Sequence, residues 1–416
     1  MPDCDRITTL FADSRQTVDN LLSGRTASQW LFIYPPHPFR FGGRFRARFL
    51  LQLLLFKLKE MFFSRQQITE SKLDEKEEDI LRSIVVASEN NPRRPEFPPG
   101  NPRFPATPTY RIEVPGFKNV WLKDESVNPT GTHKDRLAWE IIVTYRYFLQ
   151  SKRDGQAQGE LPQMSIISSG NAAIAIQTML SHYRLPSLKV LVDNNLASEK
   201  IEAMQLLGCE IYKTDLSNKV LGWSDILVLT SNQNGFDITS SEALDPTTRF
   251  YDWMSYEIVN NNPDYCFVPF GTGNLYENIL NINKKEVITD THDPRFKGNP
   301  EILRRCNYFG ATANDPKSKV ADSLYSPHLP FAHYNEQWIR LYRQAGYCGS
   351  LSDVHIVQER FIDEALTLAK QLNITCEPSA MSGLALMLQL KDSLPRDKKM
   401  LVVSTGKAHL PKNKNF

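Results

Sequence analysis

The chain has 416 residues, 41% of them hydrophobic and 23% charged, and its 49 basic and 47 acidic residues leave a net charge of +2. That length holds two domains, or one large domain with an extension, and so balanced a charge provides no global field for nucleic acid or a membrane surface. Six cysteines without a C-x-x-C pair and eight histidines without H-E-x-x-H spacing argue against a disulfide frame and a metal site, and for reduced thiols in a cytoplasmic protein.

From the start of the chain, MPDCDRITTLFADSRQ has no basic region followed by an apolar core, so no signal peptide is read there. The apolar run at 49–56, between Arg48 and Lys57, is too short to span a bilayer. Residues 44–63 read as a basic amphipathic helix, taken to pack on the main domain or another subunit in preference to a membrane. Six prolines in residues 91–105 make a stiff connector. Residues 1–104 are therefore expected to form a partly helical N-terminal extension, and 105–416 the main region.

Beyond the connector, short apolar runs alternate with helical patterns. Strands are expected at 164–167, 188–192, 209–212, 266–270 and 400–403, and helices at 172–183, 197–207 and 361–372. This alternation predicts an α/β fold with a parallel sheet. Residues 283–300 and 311–335 are polar and read as loops. Ligands of such sheets gather beyond the carboxyl ends of the strands, so the loops at 168–171, 271–274 and 404–406 should converge on one cleft.

Three segments carry chemistry. In NPTGTHKDR, residues 128–136, turn residues lead into a helix, and Lys134 falls in its first turn, where an acid is favoured and a cation is not. With Thr132 as N-cap, Asp135 sits at the capping-box position. An uncharged lysine amine is a nucleophile that forms a Schiff base with an aldehyde, although this segment alone also fits a solvent lysine after a turn. Gly271-Thr272-Gly273-Asn274 follows a strand and opens a helix, an arrangement suited to phosphate as well as to a plain turn; it is neither a P-loop nor a dinucleotide fingerprint. Ser168-Ser169-Gly170-Asn171 provides hydroxyls and an amide at a helix start, either for an anionic oxygen or as an ordinary cap.

Taken together, NPTGTHKDR, SSGNAA at 168–173, the glycine loop and the terminal S-T-G at 404–406 occur in the order of the fold type II pyridoxal-phosphate enzymes, the tryptophan synthase β family. Thr107-Pro108-Thr109, Lys123-Asp124-Glu125 and EPSAMSG at 377–383 are similar to further stretches of that family. The resemblance covers roughly residues 105–410. It implies two parallel-sheet α/β domains with the active site between them, the smaller one (about 142–250) inserted in the larger.

By the same resemblance, Lys134 carries pyridoxal 5'-phosphate, Asn171 bonds the pyridine-ring oxygen, Gly271, Thr272, Gly273 and Asn274 cradle the phosphate, and Thr405 (otherwise Ser404) faces the ring nitrogen. Ser168, Ser169 and Gly170, with Thr130, would take the substrate carboxylate. A hydroxyl at the ring nitrogen cannot hold it protonated, which favours elimination and replacement at the β or γ carbon over transamination. Lys134, once displaced, is then the base for the α-proton.

The K-D-R sequence resembles threonine synthase or cysteine synthase types; SSGNAA and YDWMSYEI at 251–258 resemble threonine synthases, while KDRLA leans towards cysteine synthases. His133 replaces the family's usual aromatic or aliphatic residue and is expected either to take part in proton transfer or to pack beside the ring. The resemblance thus implies a threonine-synthase-like lyase or synthase acting on an amino acid. A cysteine-synthase-like enzyme and a cofactor-binding interaction protein without activity are the other readings. The family is commonly dimeric, so a homodimer is expected.

Overall fold

Among the described residues, ten strands make two sheets in this computed structural model. The described residues are 73–89, 106–217, 221–239, 251–313, 315, 317, 318, 320, 324 and 336–407. The amphipathic segment at 44–63, the proline-rich connector at 91–105 and most of the expected loop at 311–335 lie outside them.

Helix α1 (Glu75–Glu89) precedes strands β1 (Thr109–Ile112) and β2 (Val120–Asp124). Helix α2 (Lys134–Arg153) leads to β3 (Met164–Ile167), α3 (Asn171–His182), β4 (Lys189–Asp193), α4 (Ser198–Leu206), β5 (Glu210–Thr214), α5 (Trp223–Leu229) and β6 (Phe236–Asp237). Then come α6 (Asp252–Val259), β7 (Tyr265–Pro269), α7 (Asn274–Ile288), α8 (Pro300–Arg305), β8 (Asn307–Thr312), α9 (Glu336–Gln344), β9 (Asp353–Ile356) and α10 (Glu359–Gln371). A 3-10 turn (Pro378–Met381), α11 (Ser382–Gln389) and β10 (Met400–Ser404) follow. No helix among the described residues is long and apolar enough to cross a membrane.

The larger sheet has the order β1-β2-β10-β7-β8-β9 and the smaller β5-β4-β3-β6. Only β1 with β2 is antiparallel; the other pairs are parallel, as helical crossovers between successive strands require. Strand β10, last in the chain, inserts between β2 and β7, with Met400 opposite both Val120 and Tyr265. All five of its residues are buried, as a central parallel strand demands. The insertion brings the chain after Ser404 beside the chain leaving Asp124.

Two compact units divide the chain, residues 1–81 with 144–160 and residues 82–143 with 161–416. In the first, Lys152 Nζ donates to Glu77 Oε1 at 2.6 Å, and Ile80, Leu81, Tyr145 and Leu149 are buried. The second unit holds both sheets. Its main core packs Ala365, Ala369, Leu384 and Leu388 of α10 and α11 with Phe267, Phe309 and Val402 of the strands, and the Phe267 and Phe309 rings stack at 5.2 Å. A smaller core under the second sheet gathers Ile167, Leu191, Leu216 and Ile226.

The polar stretch from residue 283 is a correction to the loop expectation, because α7 continues to Ile288. Asn283 is fully buried, donating to the Tyr347 carbonyl (2.6 Å) and accepting from Tyr308 Oη (2.7 Å). Glu286, also buried, accepts from Tyr256 Oη at 2.9 Å. The polarity there serves internal hydrogen bonds rather than solvent.

Candidate active site

The turn after β2 closes with the Gly131 N–H on the Asn128 carbonyl (2.8 Å), and α2 starts at Lys134. Thr132 Oγ1 accepts the Lys134 N–H at 3.1 Å, so the Thr132 hydroxyl caps the helix as the spacing predicts. Asp135 departs from the capping box. Its Oδ2 reaches back to Thr130, accepting from the backbone N–H (2.9 Å) and the hydroxyl (2.8 Å). Its Oδ1 is buried with no partner among the described residues, and burial raises its pKa against those two bonds.

This loop is stitched to the chain after β10. The Thr405 carbonyl accepts from the His133 N–H (2.9 Å) and from His133 Nδ1 (3.2 Å), and the Gly131 carbonyl accepts the Lys407 N–H (2.9 Å). Gly406 makes the close approach feasible: a Cβ there would lie 2.4 Å from the Gly131 oxygen, and its φ of +145° suits glycine. The Gly406 carbonyl in turn accepts the Glu377 N–H at 3.0 Å.

Lys134 Nζ donates to Tyr251 Oη at 2.9 Å. Nζ lies 5.4 Å from the ring centroid, which puts it off the hydroxyl end rather than over the ring face. The His133 ring packs against the same tyrosine, centroids 5.5 Å apart. Burial first, and then the neighbouring Lys134 cation, push the His133 pKa down to about 3. The neutral ring carries its hydrogen on Nδ1, where the Thr405 carbonyl demands a donor, and Nε2 is left as an acceptor.

Beneath this layer lies a buried ionic cluster. Arg136 makes two forked pairs, to Glu125 (2.7 and 3.0 Å) and to Glu257 (2.9 and 3.1 Å). Lys123 Nζ donates to Glu257 Oε2 (2.6 Å) and to the Thr107 carbonyl (2.7 Å). Thr107 Oγ1 accepts from Arg136 and donates to Glu125. Burial works to raise the Glu125 pKa, but Arg136 and Lys123 outweigh it and hold the carboxyl at about 2. The stretches T-P, K-D-E and K-D-R thus meet in one lock, with Glu257 of α6 closing it.

On the smaller sheet, Ser168 Oγ accepts the Gly170 and Ala173 N–H groups (3.2 and 3.3 Å) and caps α3. Ser169 is exposed and Gly170 is buried with a φ of +149°. Asn171 Nδ2 donates to both carboxylate oxygens of Glu377 (3.1 Å each). This contact joins the start of α3, after β3, to the residue before the 3-10 turn. Gly271 and Thr272 follow β7, and Gly273 takes a left-handed conformation (φ +87°) just before Asn274 opens α7, with no side chain capping it. The loop after β10 thus contacts both the Lys134 turn and, through Glu377, Asn171.

Tyr251 and Glu377 contact the candidate residues Lys134 and Asn171, respectively, and the sequence pattern missed both. Each opens a noted stretch, YDWMSYEI and EPSAMSG, but their partners lie 117 and 206 residues away.

The profile of the family described as "Pyridoxal-phosphate dependent enzyme" matches residues 103–406. Threonine synthase of Methanocaldococcus jannaschii is 22% identical over 339 residues, 72% of this chain and 74% of that protein. Cysteine synthase B of Escherichia coli is 28% identical over 133 residues, 30% of this chain; the match spans only 40% of that enzyme's length. Among solved structures, O-ureido-L-serine synthase superposes with a TM-score of 0.52 at 16% identity, covering 73% of this chain and 89% of that one. A pyridoxal 5'-phosphate-dependent aspartate racemase gives a TM-score of 0.52 at 15% identity over 79% of this chain and 97% of its own. Both show the same fold.

Proposed function

The chain belongs to the pyridoxal-phosphate dependent enzymes, and we propose that it eliminates or replaces a group at the β or γ carbon of an amino acid, in the manner of a threonine synthase, with Lys134 holding the cofactor. A cysteine-synthase-like replacement at the β carbon is the second reading, supported by the KDRLA sequence and the cysteine synthase B match.

The observation that carries the proposal is the placement of Lys134. Its Nζ sits at the start of α2, held by a buried phenol, in a loop fastened by backbone hydrogen bonds to Thr405. The residues present fit pyridoxal 5'-phosphate. Gly273 opens α7 without a side-chain cap, which suits a phosphate, so Gly271, Thr272, Gly273 and Asn274 would hold it. Asn171, its amide oriented by Glu377, would bond the ring oxygen. The buried hydroxyl residue Thr405 would face the ring nitrogen. The cofactor, when bound, withdraws electrons from the α-carbon.

The protein supplies the rest. Lys134 Nζ takes the α-proton and later acts as acid, and His133, with Nδ1 committed to Thr405, keeps an acceptor at Nε2 and packs on Tyr251. The loop of Ser168, Ser169 and Gly170 takes the substrate carboxylate. The Ser168 hydroxyl is engaged by the Gly170 and Ala173 N–H groups and the Thr130 hydroxyl by Asp135, so each stiffens its own loop.

In this reading the catalytic region is 105–416, with an inserted subdomain at about 142–250, and residues 1–104 are an extension. The enzyme works as a homodimer in the cytoplasm. The test is the visible absorbance of purified protein, repeated for Lys134→Ala and with serine, O-acetyl and O-phospho amino acids. A band absent from the variant and shifted by one of these compounds supports the reading. Cofactor-replete wild-type protein without a band overturns it.

A further inference from the structure

Lys134 Nζ has one described side-chain partner, the Tyr251 hydroxyl at 2.9 Å. Tyr251 is 1% exposed, so its hydroxyl exchanges protons through neighbouring groups and not through bulk water. The ring is fixed from behind: His133 packs on it at 5.5 Å, and His133 is itself anchored to the Thr405 carbonyl through Nδ1. Tyr251 stands directly before α6, whose Glu257 is gripped by Arg136 and Lys123. Both the phenol and the amine that donates to it are therefore carried by segments tied into one buried ionic lock. So costly an arrangement around a single amine–phenol contact calls for a chemical role.

We propose that Tyr251 is a second catalytic acid, passing to the substrate's departing group the proton that Lys134 removes from the α-carbon; this rests on the elimination reading above. Removal of the α-hydrogen places its proton on Nζ. The electron pair of the broken Cα–H bond forms the Cα–Cβ double bond, while the Cβ–O bond breaks and its pair leaves with the oxygen. Tyr251 Oη–H breaks as its proton bonds that oxygen, and an Nζ proton crosses the 2.9 Å hydrogen bond to restore the phenol. Tyr251 ends as it began, Lys134 is neutral again, and the leaving group departs protonated. A substrate that loses an alkoxide or hydroxide needs this proton, and one that loses chloride does not.

The experiment compares wild type with Tyr251→Phe, each loaded with pyridoxal 5'-phosphate, on L-serine and on β-chloro-L-alanine. Three measurements are made: pyruvate release, α-hydrogen exchange of L-alanine in D2O by NMR, and the visible cofactor band. The band and the L-alanine exchange report cofactor loading and proton removal by Lys134 in the variant. The variant's serine-to-chloroalanine rate ratio should fall by about 10²-fold, the usual size of a general-acid contribution. An unchanged ratio, whether both rates fall together or neither does, overturns the proposal and leaves the reading of the site intact. Wild type that shows the band but eliminates from neither compound overturns it as well. Wild type with no band removes the cofactor reading and the proposal together.

Discussion

His133 shows how one side chain can tune the whole protein's response to pH. In the unfolded chain it takes a proton below its ordinary pKa of 6.5, whereas in the folded chain burial and the Lys134 cation delay protonation to about 3. The unfolded state therefore binds more protons between those values, and stability is lost as pH falls through that window. Replacing His133 with Phe keeps a ring against Tyr251 and removes the titration. Urea unfolding at several pH values above the carboxylate range should show a flatter dependence in the variant. An identical slope in both proteins would mean that the ring is not held neutral. Asn171 and Glu377 illustrate the same scale differently, since one carboxylate fixes which way an amide points.

At the scale of elements, the site is a seam between the turn before α2 and the chain leaving β10. Four backbone groups make it, and Gly406 is the residue that lets the two segments touch. Gly406→Ala would force a Cβ to within 2.4 Å of the Gly131 oxygen and into a strained φ. A cost of about 1–3 kcal/mol is expected from the strain. Thermal unfolding should register it, and titration of the variant with pyridoxal 5'-phosphate should show weaker loading, because Lys134 and Thr405 move apart. A variant that melts and loads like wild type would show the seam to be incidental.

For the whole molecule, the ionic lock matters most. Glu125 follows β2, Arg136 lies on α2 and Glu257 on α6, so one buried cluster ties together segments distant in sequence. Removing Glu257 leaves Arg136 and Lys123 facing a single anion in a dry site, at a cost of about 3–5 kcal/mol. Urea denaturation of Glu257→Ala should show that loss, largely insensitive to added salt because the pair is shielded from solvent. A loss near zero would show that water enters the cluster.

Much of this was legible in the chain itself. The alternation of short apolar runs with helical stretches anticipates the parallel strands. The turn residues at 128–131 place Lys134 at a helix start, a local feature fixed by backbone preference and by which side chains are apolar, whereas pyridoxal phosphate is implied by the resemblance of the ordered motifs to a known family. The sequence misjudged residues 283–288, because polarity that is satisfied inside the fold looks the same as polarity facing water. It also left Tyr251 and Glu377 unassigned and sent Asp135 to the wrong partner. Tyr251 and Glu377 meet their partners because β10 inserts between β2 and β7 and α6 docks on the lock, a choice made by packing at long range, whereas Asp135 turns to Thr130 within its own loop.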